Sequence, residues 1–196
     1  MKKKYYLIGL LILLGIAWLV IRNNRLENSE GQGAVPTINT PMPKGDATVA
    51  VLSVNDMHAA IDLMPRFAAM VDSLRGVYPD LLVFSAGDNR TGNPINDQYD
   101  PANYPMIAMM NKVGFDLCAI GNHEWDGGVE ALQRNIEDAD FPFLCANVII
   151  PDDVKLDLKP YEILDRGGVR IAVLGLLETR HDGIPGAHPM HFKKIR

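Results

Sequence analysis

The chain has 196 residues and a formal net charge of −5, with 47% hydrophobic and 22% charged residues. That balance is globular and suits one domain with some extra segments. After the first four positions lysine and arginine form no long run, so no nucleic-acid polymer is expected as a partner.

Met1-Lys2-Lys3-Lys4 precedes an uninterrupted apolar run from Tyr5 to Ile21, closed by Arg22-Asn23-Asn24-Arg25. As a helix the run would be roughly 26 Å long, close to the hydrocarbon thickness of a bilayer, and apolar on every face. It ends in Val20-Ile21-Arg22 with no Ala-x-Ala site and no cysteine for lipid attachment. Residues 1–22 therefore read as an uncleaved signal anchor, in preference to a cleaved signal that would release a secreted protein. Three lysines against two arginines keep the N-terminus cytoplasmic and place the remainder outside the membrane. Residues 23–46, with three prolines, three glycines and no apolar period, read as a flexible linker.

From Ala47 the pattern alternates. Residues 47–55 (ATVAVLSVN) are β-branched-rich and predict a strand. Leu63, Phe67, Met70, Val71 and Leu74 recur at helical spacing over 62–76, with Pro65 near the start, where a helix tolerates it. A second strand is expected at 80–86. Asp100-Pro101 reads as an N-cap followed by Pro at the first helical position. Ile107, Met110 and Val113 then form the inner stripe of that helix before Gly114 stops it. Residues 115–120 predict a third strand. The next helix spans 128–139, with Val129, Leu132 and Ile136 on one face, and a fourth strand follows at 141–149. Residues 161–177 predict a hairpin turning at Gly167-Gly168. Strands alternating with helices imply an α/β sheet with parallel pairing, right-handed crossovers and cover on both faces. Cys118 and Cys145 both fall in buried strands and are expected as free thiols.

In such sheets ligands gather at the carboxyl ends of the strands. The first strand ends in Asn55-Asp56-Met57-His58, where positions two apart in extended chain project to one side. The second ends in Gly87-Asp88-Asn89 and the third in Gly121-Asn122-His123-Glu124-Trp125-Asp126. Each cluster alone reads equally as a turn or a helix cap, Asp126 included. Together, three strand ends deliver carboxylate, imidazole and amide groups to the edge where a site belongs.

This order of motifs resembles the calcineurin-like metallophosphoesterase superfamily, and most closely its 5′-nucleotidase and 2′,3′-cyclic phosphodiesterase branch. Cys145-Ala146-Asn147-Val148 and the strand ending in Gly175-Leu176-Leu177-Glu178-Thr179 fit that branch too. The resemblance covers residues 47–196. It implies a layered α/β/β/α sandwich of which this chain supplies the N-terminal βαβαβαβ part, preceded by the transmembrane helix. It also implies two divalent cations (Mn, Zn or Fe), with Asp56 and His58 on the first, Asp88 bridging both and Asn122 on the second. His123 and Asp126 match the family's catalytic dyad, Asp126 orienting an imidazole that faces the phosphoryl group. Asn122 and His123 would also meet substrate, a nucleotide or other phosphoester. Arg90 would touch its phosphate or form a surface ion pair. Glu124 is expected in supporting hydrogen bonds.

The sequence departs from the family in Ala59-Ala60 after His58 and in Asn89-Arg90 after Asp88. The family's further His and Gln ligands and its nucleoside-holding domain have no counterpart here. His181, His188 and His191 read as surface loop residues, so the domain is expected to be incomplete. A truncated or non-catalytic relative is the alternative reading.

Overall fold

The computed structural model describes residues 48–179. The apolar run Tyr5–Ile21, the expected linker and the three late histidines lie outside the described residues. Among the described residues no helix is long and apolar enough to cross a membrane.

The elements run β1 (Val51–Val54), α1 (Met64–Val77), β2 (Leu82–Ser85), α2 (Pro94–Asp97), α3 (Tyr104–Val113), β3 (Leu117–Ala119), a 3₁₀ turn (His123–Trp125), α4 (Gly128–Asp138), β4 (Phe143–Leu144), β5 (Tyr161–Arg166) and β6 (Val169–Leu174). β1 to β4 form one sheet in sequence order with every pair parallel, while β5 and β6 form a separate antiparallel hairpin. Parallel neighbours in sequence order, each joined by a right-handed crossover, put all their helices on one face. Accordingly Val83, Cys118 and Phe143 of the sheet share one buried cluster with Val71 of α1, Met106, Ile107 and Met110 of α3, and Leu132 of α4. The opposite face, carrying Phe84, Leu117, Ala119 and Leu144, meets the end of β6 around Val173 to Leu176. Helices thus cover one face and the hairpin lies against the other.

The inner stripes of α3 and α4 fall where expected, with Ile107, Met110, Val113, Leu132 and Ile136 buried. Gly114 caps α3 in the left-handed conformation, bonding back to Met110 and Asn111. Gly167 and Gly168 both take positive φ (59° and 74°), the turn that matches the twist of two antiparallel strands. Cys118 and Cys145 are buried free thiols.

Several boundaries differ from the sequence reading. In α1 the core-facing residues are Met64 and Val71, with Phe67 and Leu74 partly buried, whereas Leu63 and Met70 are exposed. Leu63 precedes the helix, so the stripe is turned by one position. Asp100 does not cap α3, which begins four residues later with Pro105 in its first turn. Asn96 supplies a bond there instead, its Oδ1 accepting the Met106 N–H at 3.0 Å. The strand expected over 141–149 is only two residues long in the sheet, because Ala146 and Asn147 turn to bond Gly175 and Leu177 beside β6.

Candidate active site

The carboxyl ends of β1, β2 and β3 lie side by side, and the loops that leave them are bonded to one another. Asp56, His58 and Ala59 donate their backbone N–H groups to the carbonyls of Gly87, Asp88 and Asn89 at 3.1, 3.0 and 2.7 Å. Asp56, His58, Ala59 and Asp88 all have positive φ, between 44° and 56°. Left-handed backbone at non-glycine residues is sparsely populated and persists where the surroundings enforce it, a concentration typical of functional loops.

Three of the expected side chains converge. His58, Asp88 and His123 each bring one ligand atom to within 4.8 Å of the others. The two imidazoles meet edge to face with ring centroids 4.8 Å apart. Asp56 Oδ1 sits 3.7 Å from His58 Nε2, and its other oxygen accepts from Asn55 Nδ2. His58 Nδ1 donates to the Thr91 carbonyl at 2.8 Å, which fixes the tautomer and leaves Nε2 as the acceptor on the site side. Asn122 is half-buried one residue before His123, at the entry of the 3₁₀ turn, and its side chain does not cap that turn.

His123 and Asp126 are joined as their spacing suggests, Nδ1 donating to Asp126 Oδ2 at 2.7 Å across one turn. Asp126 is not the N-cap of the next helix; Gly127 holds that position in α4. Partial burial pulls the His123 pKa down, but the Asp126 hydrogen bond and charge, with Asp88 and Glu124 behind, win and raise it above its ordinary value. The backbone N–H of His123 donates to Asp88 Oδ1 at 2.8 Å, linking the third strand end to the second.

Among the described residues Arg90 forms no ion pair. It is 5% exposed, and a side chain on Gly127 would bring a carbon to 2.5 Å from its Nη1. Its Nε and Nη1 are buried with no hydrogen-bond partner. Burial lowers its pKa while Asp126, Glu124 and Asp97, in that order, favour its charge. The guanidinium thus lies behind Asp126.

Beneath the loops is a buried polar floor. Ser85 Oγ donates to Asn89 Oδ1 at 2.6 Å and accepts the Gly87 N–H at 3.1 Å. Asn89 Nδ2 reaches Cys118 Sγ and Glu124 Oε1, both at 3.1 Å. Sequence reading missed the part played by Thr91, whose contribution is a carbonyl that no residue type advertises. Asn89 was visible only as a departure from the family pattern.

The residue types gathered here, two imidazoles with carboxylates beside them, are a hard-to-borderline donor set that fits Mn²⁺, Zn²⁺ or Fe²⁺. The chain matches no family model. It is 40% identical over 115 residues to the protein UshA of Yersinia enterocolitica, covering 59% of this chain and 20% of that protein. It is 38% identical over 120 residues to a 5′-nucleotidase of Vibrio cholerae, covering 61% of this chain and 21% of that one. The chain thus spans about a fifth of the length of these curated relatives. The solved NAD nucleotidase of Haemophilus influenzae superimposes with a TM-score of 0.62 at 28% identity, over 67% of this chain and 26% of that one. Sequence and fold agree in what the chain is similar to: relatives named UshA and 5′-nucleotidase, and solved structures of an NAD nucleotidase and a calcineurin-like phosphoesterase.

Proposed function

We propose that the site is the centre of a divalent-metal-dependent phosphoester hydrolase acting on nucleotides. The observation that carries this reading is the convergence of His58, Asp88 and His123, with His123 backed by Asp126. Asp56 and His58 would hold one cation, Asp88 would be shared and Asn122 would serve a second. Cations there would lower the pKa of water and screen the charge on the phosphoryl oxygens. The residues do the rest. Thr91 keeps His58 Nε2 turned toward the site, and the paired loops fix Asp56 and Asp88 against each other. Asp126 holds a proton on His123 Nδ1 and favours the charged imidazole, whose free edge can steady the phosphoryl group and hand a proton to the leaving oxygen.

The apolar run at 5–21 and the linker at 23–46 support a placement outside the cytoplasm on a membrane anchor, with the enzymatic domain beginning near residue 47. Release of phosphate from 5′-AMP by the protein with Mn²⁺ or Zn²⁺ tests the activity. Turnover is expected to depend on metal and to fall about a hundredfold or more in Asp88→Ala. Metal-independent turnover, or turnover unchanged in that variant, overturns the reading.

A further inference from the structure

Glu124 has no direct place in the chemistry proposed above, yet it is 3% exposed and accepts more hydrogen bonds among the described residues than any other carboxylate at the site. Its Oε2 accepts the backbone N–H of Asp88 at 2.9 Å and of Gly121 at 2.7 Å. Its Oε1 accepts the backbone N–H of Asn89 at 2.8 Å and the Asn89 side-chain amide at 3.1 Å. A single carboxylate therefore ties the loop after β2 to the loop after β3. No salt bridge forms on it among the described residues. Burial pushes its pKa up, while the N–H groups of Asn89 and Asp88 pull it down. Oriented N–H groups satisfy both of its oxygens.

The two loops that it joins are packed backbone against backbone. A Cβ on Gly87 would lie 2.5 Å from the Gly121 nitrogen, so the backbones are in direct contact. Between them Asp88 holds φ at 56°, in the left-handed region that non-glycine residues populate sparsely. The constraint runs both ways. The turn that carries Glu124 also donates the His123 N–H to Asp88 Oδ1. Asp88 is thus gripped by its own N–H and by one carboxylate oxygen, both from one short turn. Asn89 extends the grip into the buried floor through Ser85 and Cys118.

We propose that Glu124 is the positioning residue for Asp88: a buried clasp that presets the shared metal ligand against the β3 loop before any cation arrives. This rests on the metal-site reading above. The test is Mn²⁺ binding by the protein, followed by calorimetry and by the electron paramagnetic resonance of the bound ion. Glu124→Gln keeps the volume but turns an acceptor toward two donors into a donor. It is expected to weaken Mn²⁺ binding by at least about tenfold and to change the resonance pattern, as loss of a group that orients a ligand does. Its far-ultraviolet circular dichroism is expected to stay unchanged. Asn89→Ala, which leaves all three backbone bonds to Glu124 in place, is expected to weaken binding less than Glu124→Gln does.

Mn²⁺ affinity and spectrum unchanged in Glu124→Gln overturn the clasp while leaving the metal site standing. Wild-type protein that binds no Mn²⁺ overturns both. Amide exchange in metal-free wild-type protein decides the matter without a variant. Protection of the Asp88, Asn89 and Gly121 amides supports a preset clasp, and exchange at unprotected rates overturns it.

Discussion

Asp126 and His123 form a hydrogen-bonded pair that favours the protonated imidazole. His123 has a raised pKa in the folded chain against an ordinary value of about 6.5. A histidine so raised contributes stability fully present below about pH 6.5, and that contribution is lost as pH rises through the raised value. The metal-free Asp126→Asn variant is therefore expected to melt below the wild type at pH 5.5, with the gap narrowing toward pH 8.5; a gap that widens with pH contradicts the assignment. The same variant, loaded with metal, is expected to lose about 10²- to 10⁴-fold in kcat, because the imidazole loses the group that orients and charges it. Much of this pair was legible beforehand, since a three-residue spacing at a turn lets a carboxylate reach an imidazole. The part played by Thr91 was not. Its contribution is a main-chain carbonyl, and only the path of the loop after Asp88 brings that oxygen to His58.

The loop between β2 and α3 shows at the scale of elements why some of the fold escaped the sequence. Asn96 and Asn103 of that stretch are buried and bonded in a chain with Asn135 of α4. Asn96 Nδ2 donates to Asn103 Oδ1 at 2.7 Å, and Asn103 Nδ2 donates to Asn135 Oδ1 of α4 at 3.2 Å. Asn135 Nδ2 closes on the Ala102 carbonyl at 2.9 Å. Asn96 also takes the place of a cap for α3, which has no side-chain cap of its own. The apolar stripes of α3 and α4 were legible because they repeat locally. An amide partnered 32 residues away leaves no local period to read. The short helix α2 opens at Asn93-Pro94, an N-cap before Pro, with Asn93 Oδ1 accepting the Ile95 N–H. Asn96→Ala is expected to cost about 1–3 kcal/mol, because it orphans the Met106 N–H and the Asn103 acceptor in a buried place. A urea titration checks this: the midpoint should fall with the slope unchanged, whereas an unaltered midpoint shows that the chain of amides does not bear on stability.

Across the whole molecule the parallel sheet and the hairpin are held by few but specific bonds. Asn147 is the densest of these: its Nδ2 donates to the Leu177 carbonyl at 2.8 Å and its Oδ1 accepts the Leu177 N–H at 2.9 Å. Ala146 N–H bonds the Gly175 carbonyl at 2.8 Å, and Arg166 pairs with Asp116, whose other oxygen accepts the Val83 N–H at 2.8 Å. The alternating strands and helices made the parallel sheet legible, and Gly167-Gly168 made the hairpin legible. Which face the hairpin would meet was not, because that choice is written in pairs 30 to 50 residues apart. The seam matters to the site because β4 lies next to β3, whose end carries Asn122 and His123. Asn147→Ala leaves the Leu177 N–H and carbonyl without their partner and is expected to cost about 2 kcal/mol. It should loosen the seam before the sheet. In native-state hydrogen exchange the amides of β5 and β6 are then expected to exchange faster than in the wild type, while those of β2 and β3 keep their protection. Equal loss across both sheets would instead mean that sheet and hairpin open as one unit, with Asn147 acting on the global stability that the loops after β1, β2 and β3 also draw on.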